Sequence, residues 1–353
     1  MRSVIRILVV MSIILIAGIY FNQAKEEQEV LHNSAALNPA KSDMNVEQEL
    51  AETNKSLPVV EQLTSGAGMY IGKEAPLLRK AKGEPARKDP SAYGYEWWIY
   101  KDVDQYVQFG VENNKVVTAY AAGEADVSPF KIGQPVKDIF QTYDLRMDVV
   151  ITNEEGTYRL ELSEEDFNIR PIVRLGDIYA QLYIDKFTGT LSSVRYLTKD
   201  YLIKQRPYEM VYRGELPVDP ELTDPAWRAI EEGSEKQILD LTNIIREKHH
   251  LKQVTWEEKT AEVAKNHSKE MYEKQYFAHE SPSAGDLGNR LKAANIAYQL
   301  AGENIAANYT DGPAAIEGWL NSKNHREALL EKDFTFLGVG VYRKYYTQNF
   351  IAK

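Results

Sequence analysis

A chain of 353 residues with 43% hydrophobic and 27% charged residues is long enough for two globular domains and excludes wholesale disorder. Its formal charge of −10 excludes nucleic acid as a partner, because phosphate binding relies on a basic surface that releases counterions. With no cysteine, disulfides, thiolate metal sites and cysteine nucleophiles are excluded together.

The N-terminus reads as a membrane signal. Arg2 and Arg6 precede an apolar run from Ile7 to Phe21, and Lys25-Glu26-Glu27 follow it. That charge order places the rest of the chain outside the membrane. The run is a little short of the ~20 residues of a full span and fits a signal-peptide core as well. Asn22-Gln23-Ala24 is a poor cleavage site, so residues 1–24 are expected to be an uncleaved signal anchor, with a cleaved signal peptide and a secreted product as the alternative. Residues 25–60 are acid-rich, with breakers at Asn38-Pro39 and Leu57-Pro58. Such a stretch buries too little apolar area to offset its ordering entropy and is expected to be a flexible stalk.

From 61 to 214 the pattern changes to short alternating apolar runs bounded by Gly, Asn and Pro, which are strand signals. The runs Tyr95–Tyr100, Tyr106–Val111 and Lys115–Tyr120 are the first three, and Asn113-Asn114 makes a tight turn between the second and third. Ile71-Gly72-Lys73 and Ile132-Gly133-Gln134 each precede a short helical pattern and a strand set. They imply an internal repeat, 71–125 and 132–200, of two helix-plus-sheet units side by side. Tyr93, Tyr95, Trp97, Trp98, Tyr100, Tyr106, Phe109 and Tyr120 crowd this region. They read as core payload before they read as a glycan or peptide groove. Since alternate residues of a strand face opposite sides, Trp97 and Trp98 are not both expected in this domain's core, and one of them is expected to face solvent, an edge or the other domain.

The prolines from Pro217 to Pro225 mark a linker, 215–233. Ser234 with Gln237 reads as a capping pair opening a helix whose face carries Ile238, Leu241 and Ile245. A second helix from Trp256 carries the small-residue stripe Ala261, Ala264, His267, Ser268 and Met271, which marks His267 as a core histidine. A short helix from Leu287 follows, in which Arg290 can reach back to the Ser281-Pro282 loop. A strand near Gln299–Ile305, a helix over Pro313–Ser322 and two closing strands complete the chain.

Polar residues stand at the ends of these elements: His279 past a helix, Glu303 in a strand and His325 beyond the Trp319 helix. Two imidazoles and a carboxylate are the ligand set of many catalytic zinc sites. The same trio can work without metal, with Glu303 orienting or deprotonating one histidine. Spacing alone does not choose. Glu303 and Asn304 can equally tie a loop, and His325 with Arg326 can offset a helix dipole. Ser281 beside His279 is a poor nucleophile candidate, because adjacent residues rarely reach attack geometry.

The run His279-Glu280-Ser281, Gly302-Glu303-Asn304-Ile305-Ala306, Trp319-Leu320-Asn321-Ser322-Lys323-Asn324-His325-Arg326 and Gly338-Val339-Gly340 resembles the CAP superfamily of cysteine-rich secretory, antigen 5 and pathogenesis-related 1 proteins, in its compact bacterial form. The region before it resembles the CAP-associated domain. The resemblance implies an α+β chain in which a C-terminal three-layer α-β-α sandwich, the CAP fold over 234–353, follows a β-rich, duplicated α+β domain over 61–214. It implies a cleft built from His279, Glu303 and His325, with Asn304, Ser322 and Arg326 around them. In animal relatives the cleft carries a second glutamate where Ser322 stands here, so zinc or another divalent metal on His279, His325 and Glu303 loses one ligand. The chain is then expected to be an extracytoplasmic module that binds a wall, lipid or protein ligand at the surface of a Gram-positive cell. A metal- or histidine-assisted hydrolase of peptide or cell-wall substrate is the first alternative, and a structural scaffold the second.

Overall fold

The computed structural model describes residues 31–33, 40–42 and 63–353. The expected anchor, 1–24, and most of the stalk lie outside the described residues. Among the described residues no helix is long and apolar enough to cross a membrane.

The strands in chain order are β1 (Leu31–His32), β2 (Lys41–Ser42), β3 (Arg87–Pro90), β4 (Glu96–Lys101), β5 (Gln105–Glu112), β6 (Lys115–Gly123), β7 (Asp148–Thr152) and β8 (Gly156–Glu161). They continue with β9 (Ile172–Leu175), β10 (Ile178–Asp185), β11 (Thr190–Thr198), β12 (Glu209–Gly214), β13 (Thr255–Trp256), β14 (Leu300–Ala307), β15 (Phe336–Tyr342) and β16 (Tyr345–Ala352). The helices are α1 (Ala75–Lys82), α2 (Val136–Thr142), α3 (Glu164–Ile169), α4 (Lys199–Gln205) and α5 (Asp224–Lys248). Then come α6 (Glu258–Lys274), α7 (Leu287–Ala293), α8 (Gly312–Leu320) and α9 (Lys323–Leu330).

The associated half is built on a seven-stranded sheet in the order β3-β4-β5-β6-β11-β10-β9, beside a four-stranded sheet β2-β12-β8-β7. The β5–β6 hairpin turns through Asn113 (φ 48) and Asn114 (φ 64), the left-handed pair that a tight hairpin needs. Its counterpart is β10–β11, and the two halves make matching hydrogen bonds. Gly72 N–H donates to Val116 O at 2.7 Å and Gly133 N–H to Leu191 O at 2.8 Å. Ala75 N–H donates to Asn114 O at 2.7 Å and Val136 N–H to Gly189 O at 2.9 Å. The sheet is antiparallel across β6 and β11, so the two motifs face each other about its centre. This correspondence supports a duplication.

Trp97 and Trp98 are both buried, 1% and 6% exposed, and on opposite faces, with Trp97 turned toward the C-terminal half as one of the expected outcomes. Alternation holds, and both faces of this sheet are covered. Trp97 enters the core shared with the C-terminal half, while Trp98 enters a second core with Leu78, Phe109 and Val194. The aromatic residues are therefore mostly core, and the crevice left beside Tyr93, Tyr95, Trp97 and Gln237, about 20 Å³, is the size of one water.

The segment expected to be a linker is helical from Asp224 onward. Thr223 caps α5, its hydroxyl accepting from Ala226 N–H at 3.4 Å, and Pro225 sits in the first turn. Proline is pre-organised at that position, where its missing N–H costs nothing. Asp224-Pro225 thus starts the helix, and Ser234 lies buried inside it. The stalk also differs from expectation: β1 adds in parallel to β14, and β2 in parallel to β12. An open strand edge supplies backbone partners, so this ordering does not require an apolar segment.

The C-terminal half is a five-stranded sheet, β1-β14-β16-β15-β13, between helices. A Cβ on Gly338 or Gly340 would stand 2.1 Å from Ala261 N and 1.9 Å from Lys265 N. Those two glycines let α6 lie directly on β15. In register, Glu303, Asn349 and Gly338 stand in one row across the sheet and Asn304, Gln348 and Val339 in the next. Neighbouring residues of a strand face opposite sides, so Glu303 shares the α6 face and Asn304 the other. The two halves are not separate bodies. One apolar core runs from Trp97, Tyr120 and Tyr183 to Ile238, Trp319 and Phe350, and Arg195 of β11 pairs with Asp311 at the start of α8 at 2.6 and 2.8 Å.

Candidate functional site

Glu303 is held by two residues through three hydrogen bonds. Arg290, projecting from α7, donates through Nη2 to Oε1 at 2.9 Å and to Oε2 at 2.8 Å. His279 Nδ1 lies 2.9 Å from Oε1. The same Arg290 nitrogen reaches the His279 carbonyl at 3.1 Å, so one guanidinium fixes both the carboxylate and the loop that carries the histidine. Burial works against the charge of Glu303, but the His279 hydrogen bond and the Arg290 charge outweigh it and hold the carboxyl below its usual range. An ionised carboxylate only accepts, so the His279 proton facing it is on Nδ1.

His325 comes from the other side of the strand. Its ring stacks on His279, with centroids 6.2 Å apart and planes inclined by 26°. Ser322 Oγ meets its Nδ1 at 2.6 Å. The Asn304 amide donates to the His325 carbonyl at 3.1 Å and to Gln348 Oε1 at 3.2 Å. His325 is only 2% exposed, and the Glu303 side chain 4%, against 16% for the His279 side chain. The site is less open than a solvent-facing cleft. His279 is its outer surface and covers the rest.

The HxS loop has its own anchor. Ser281 Oγ donates to Glu270 Oε2 at 2.5 Å and accepts from Ala284 N–H at 2.9 Å. Tyr276 and Lys274 donate to the same carboxylate at 2.9 and 2.7 Å. Burial opposes the charge, but these donors and Ser283 hold the Glu270 carboxyl at about 2. The Ser281 hydroxyl thus bonds Glu270 and not His279, and a carboxylate held this low is a weak base for activating it. His267 is the expected core histidine, 1% exposed, with Nε2 3.1 Å from the Ala278 carbonyl. Burial pushes its pKa down to about 4.

The structure brings together His279, Glu303, Asn304, Ser322 and His325. It does not bring Arg326 to them. That guanidinium donates to Asp185 Oδ2 of the associated half at 3.0 Å and to Leu320 O at 3.1 Å, with Phe187 at 4.9 Å beneath it. The expected metal set also fails on its donors. Both Glu303 oxygens are taken by Arg290, His279 Nδ1 by Glu303 and His325 Nδ1 by Ser322. Among the described residues no group of three or more His, Asp or Glu side chains is placed to hold a metal ion, and a catalytic zinc needs three protein ligands. Arg290 as the carboxylate's partner and Glu270 as the loop's anchor were missed by sequence reasoning. The signal for the second was available, since Glu270 stands one helical turn before Lys274 beside the motif.

Comparison with known proteins places this architecture. The model for the CAP-associated N-terminal domain matches residues 71–208, and that for the cysteine-rich secretory protein family matches residues 239–352. The uncharacterized membrane protein YlbC of Bacillus subtilis is 48% identical over 355 residues, covering 100% of both chains. The chain belongs to the CAP, or cysteine-rich secretory protein, family. An extracellular SCP-domain protein from Bacillus anthracis has a solved structure with 47% identity and a TM-score of 0.79, matched over 85% of this chain and 99% of that one. A cysteine-rich secretory protein from Staphylococcus aureus gives 26% identity and a TM-score of 0.75, over 92% of this chain and 98% of that one. Both cover the two halves of the CAP protein, and both share its mixed α+β architecture.

Proposed function

We propose that this CAP protein is an extracytoplasmic recognition module, held at the bacterial surface, that binds a wall, lipid or protein ligand at the His279–Glu303–His325 site. One observation carries the reading: the Glu303 carboxylate is bound on both oxygens by Arg290 and on one by His279, and is kept ionised. A general base must have a free lone pair and a pKa near the working pH. Three hydrogen bonds occupy Glu303 and its pKa is lowered, so it is poorly suited to serve as the base of a hydrolase. What it does have is a fixed role in orienting His279 to meet a ligand. The membrane-protein relative and the extracellular neighbour support the location.

The test is binding and turnover on the same samples. Full-length protein is presented with purified peptidoglycan fragments and, separately, with anionic lipid vesicles and with surface-protein extract. The expected result is saturable binding to one of them, weakened about tenfold or more by His279→Ala, which removes a hydrogen-bonding contact, with no product formed. Turnover abolished by Glu303→Gln would overturn the reading.

A further inference from the structure

We infer that the β10–β11 turn of the associated half positions His325, so that the site is completed from the neighbouring domain. The inference rests on the reading of His279–Glu303–His325 as the binding site and adds what controls its geometry.

The turn and the start of α9 are locked together by side chain to backbone bonds. Asn321 Oδ1 accepts from Lys186 N–H at 2.8 Å, and its amide donates to Ile184 O at 2.8 Å. One side chain therefore reads two backbone groups on either side of Asp185. Asp185 in turn uses Oδ1 to build the turn, accepting from Phe187 N–H at 3.0 Å and Thr188 N–H at 3.3 Å. Its Oδ2 accepts from Arg326 at 3.0 Å. Asp185 and Asn321 are 2% and 5% exposed, so these bonds are shielded from competing water.

The order along the chain gives this contact its consequence. Asn321 and Arg326 grip the turn; Ser322 and His325, the residues that form the 2.6 Å bond in the site, lie between them. Any displacement of the turn is handed to the first turn of α9, a helix of 8 residues with no independent stability of its own at that length. The helix cannot follow the turn without moving the imidazole. Asn321 and Arg326 are positioning residues: neither touches His279 or Glu303, and both act through His325. The family resemblance placed Arg326 around the cleft, and the structure gives its adjacency to His325 a different meaning.

The test uses full-length protein without ligand and reads the imidazole rings by long-range ¹H–¹⁵N NMR, where 6 histidines give few signals. Asp185→Ala and Asn321→Ala are compared with Leu78→Ala, which empties a fully buried position of the other core and serves as a matched loss of stability. The expected result is that the two turn variants move the His325 ring signals and speed amide exchange across α9 by about tenfold or more. Leu78→Ala should lower the melting temperature and leave His325 in place, and Arg326→Lys should move the ring less than Arg326→Ala. If His325 stays put in both turn variants, or moves as far in Leu78→Ala, the inference is wrong. Because no ligand enters the measurement, an absence of ligand binding would sink the functional reading alone.

Discussion

Arg290 and Glu303 form a forked contact in which one guanidinium nitrogen bonds both carboxylate oxygens, at 2.9 and 2.8 Å, with side chains only 6% and 4% exposed. A buried pair of this kind contributes little net stability, because desolvation offsets attraction, but breaking it leaves an uncompensated charge. Arg290→Met should therefore cost about 3–5 kcal/mol. The double change Arg290→Met with Glu303→Gln should cost clearly less than the sum of the two singles. Urea denaturation of the four proteins measures the coupling; additive losses would mean that the pair is not formed.

The pH dependence of stability should carry the mark of His267. Its folded pKa is about 4 against an ordinary 6.5, so between those values the unfolded chain binds the proton and the folded chain does not. Stability is then full above about pH 6.5 and declines as pH falls toward 4, by roughly 3 kcal/mol for a shift of that size. Below that, Glu303 and Glu270, both depressed, add a second loss as pH falls from the ordinary carboxylate range through their folded values. Denaturant midpoints at pH 7, 5 and 4 should fall in wild type and flatten over this window in His267→Leu. An unchanged slope would show that the histidine titrates normally.

Motif chemistry was more legible in the sequence than its wiring. The Asn113-Asn114 turn was readable because few residues tolerate positive φ, and both residues adopt it. His279, Glu303 and His325 were readable as a set from the family motifs, and they meet. Arg326 was assigned to the surroundings of the cleft from the family resemblance, but successive residues of a helix point in different directions, and its partner Asp185 lies 141 positions away. Trp97 and Trp98 show the same limit: alternation tells which residues share a face, not whether the far face is covered. Ser234 was misread as a cap because the prolines from Pro217 to Pro225 were taken as a break, when Pro225 in the first turn begins the helix.

The halves should unfold together. Asp311 accepts both Arg195 nitrogens and also caps α8 through Ala314 N–H at 3.1 Å, while Arg195 is 1% exposed. Asp311→Ala removes a cap worth about 1 kcal/mol and strands a buried charge at about 3–5 kcal/mol. Calorimetry of full-length wild type should show one transition, and the variant one transition at lower temperature. Two resolved transitions in wild type would mean that the shared core does not couple the halves.

Zinc gives the sharpest division between recognition and metal chemistry at this site. Tight binding at neutral pH needs several deprotonated donors converging at about 2.0–2.3 Å. Here Glu303 is committed to Arg290, and the Nδ1 atoms of both histidines are committed to Glu303 and Ser322. Titration calorimetry on the full chain should accordingly show no saturable zinc binding in the micromolar range, and wild type should match the His279→Ala/His325→Ala double variant. Glu303 becomes available to a metal only if Arg290 is removed, so Arg290→Ala is the variant in which zinc affinity should rise. Micromolar binding in wild type that disappears in the double variant would require the Arg290–Glu303 pair to open on metal entry. It would return Glu303 to the ligand set and reopen hydrolysis as the function of the site.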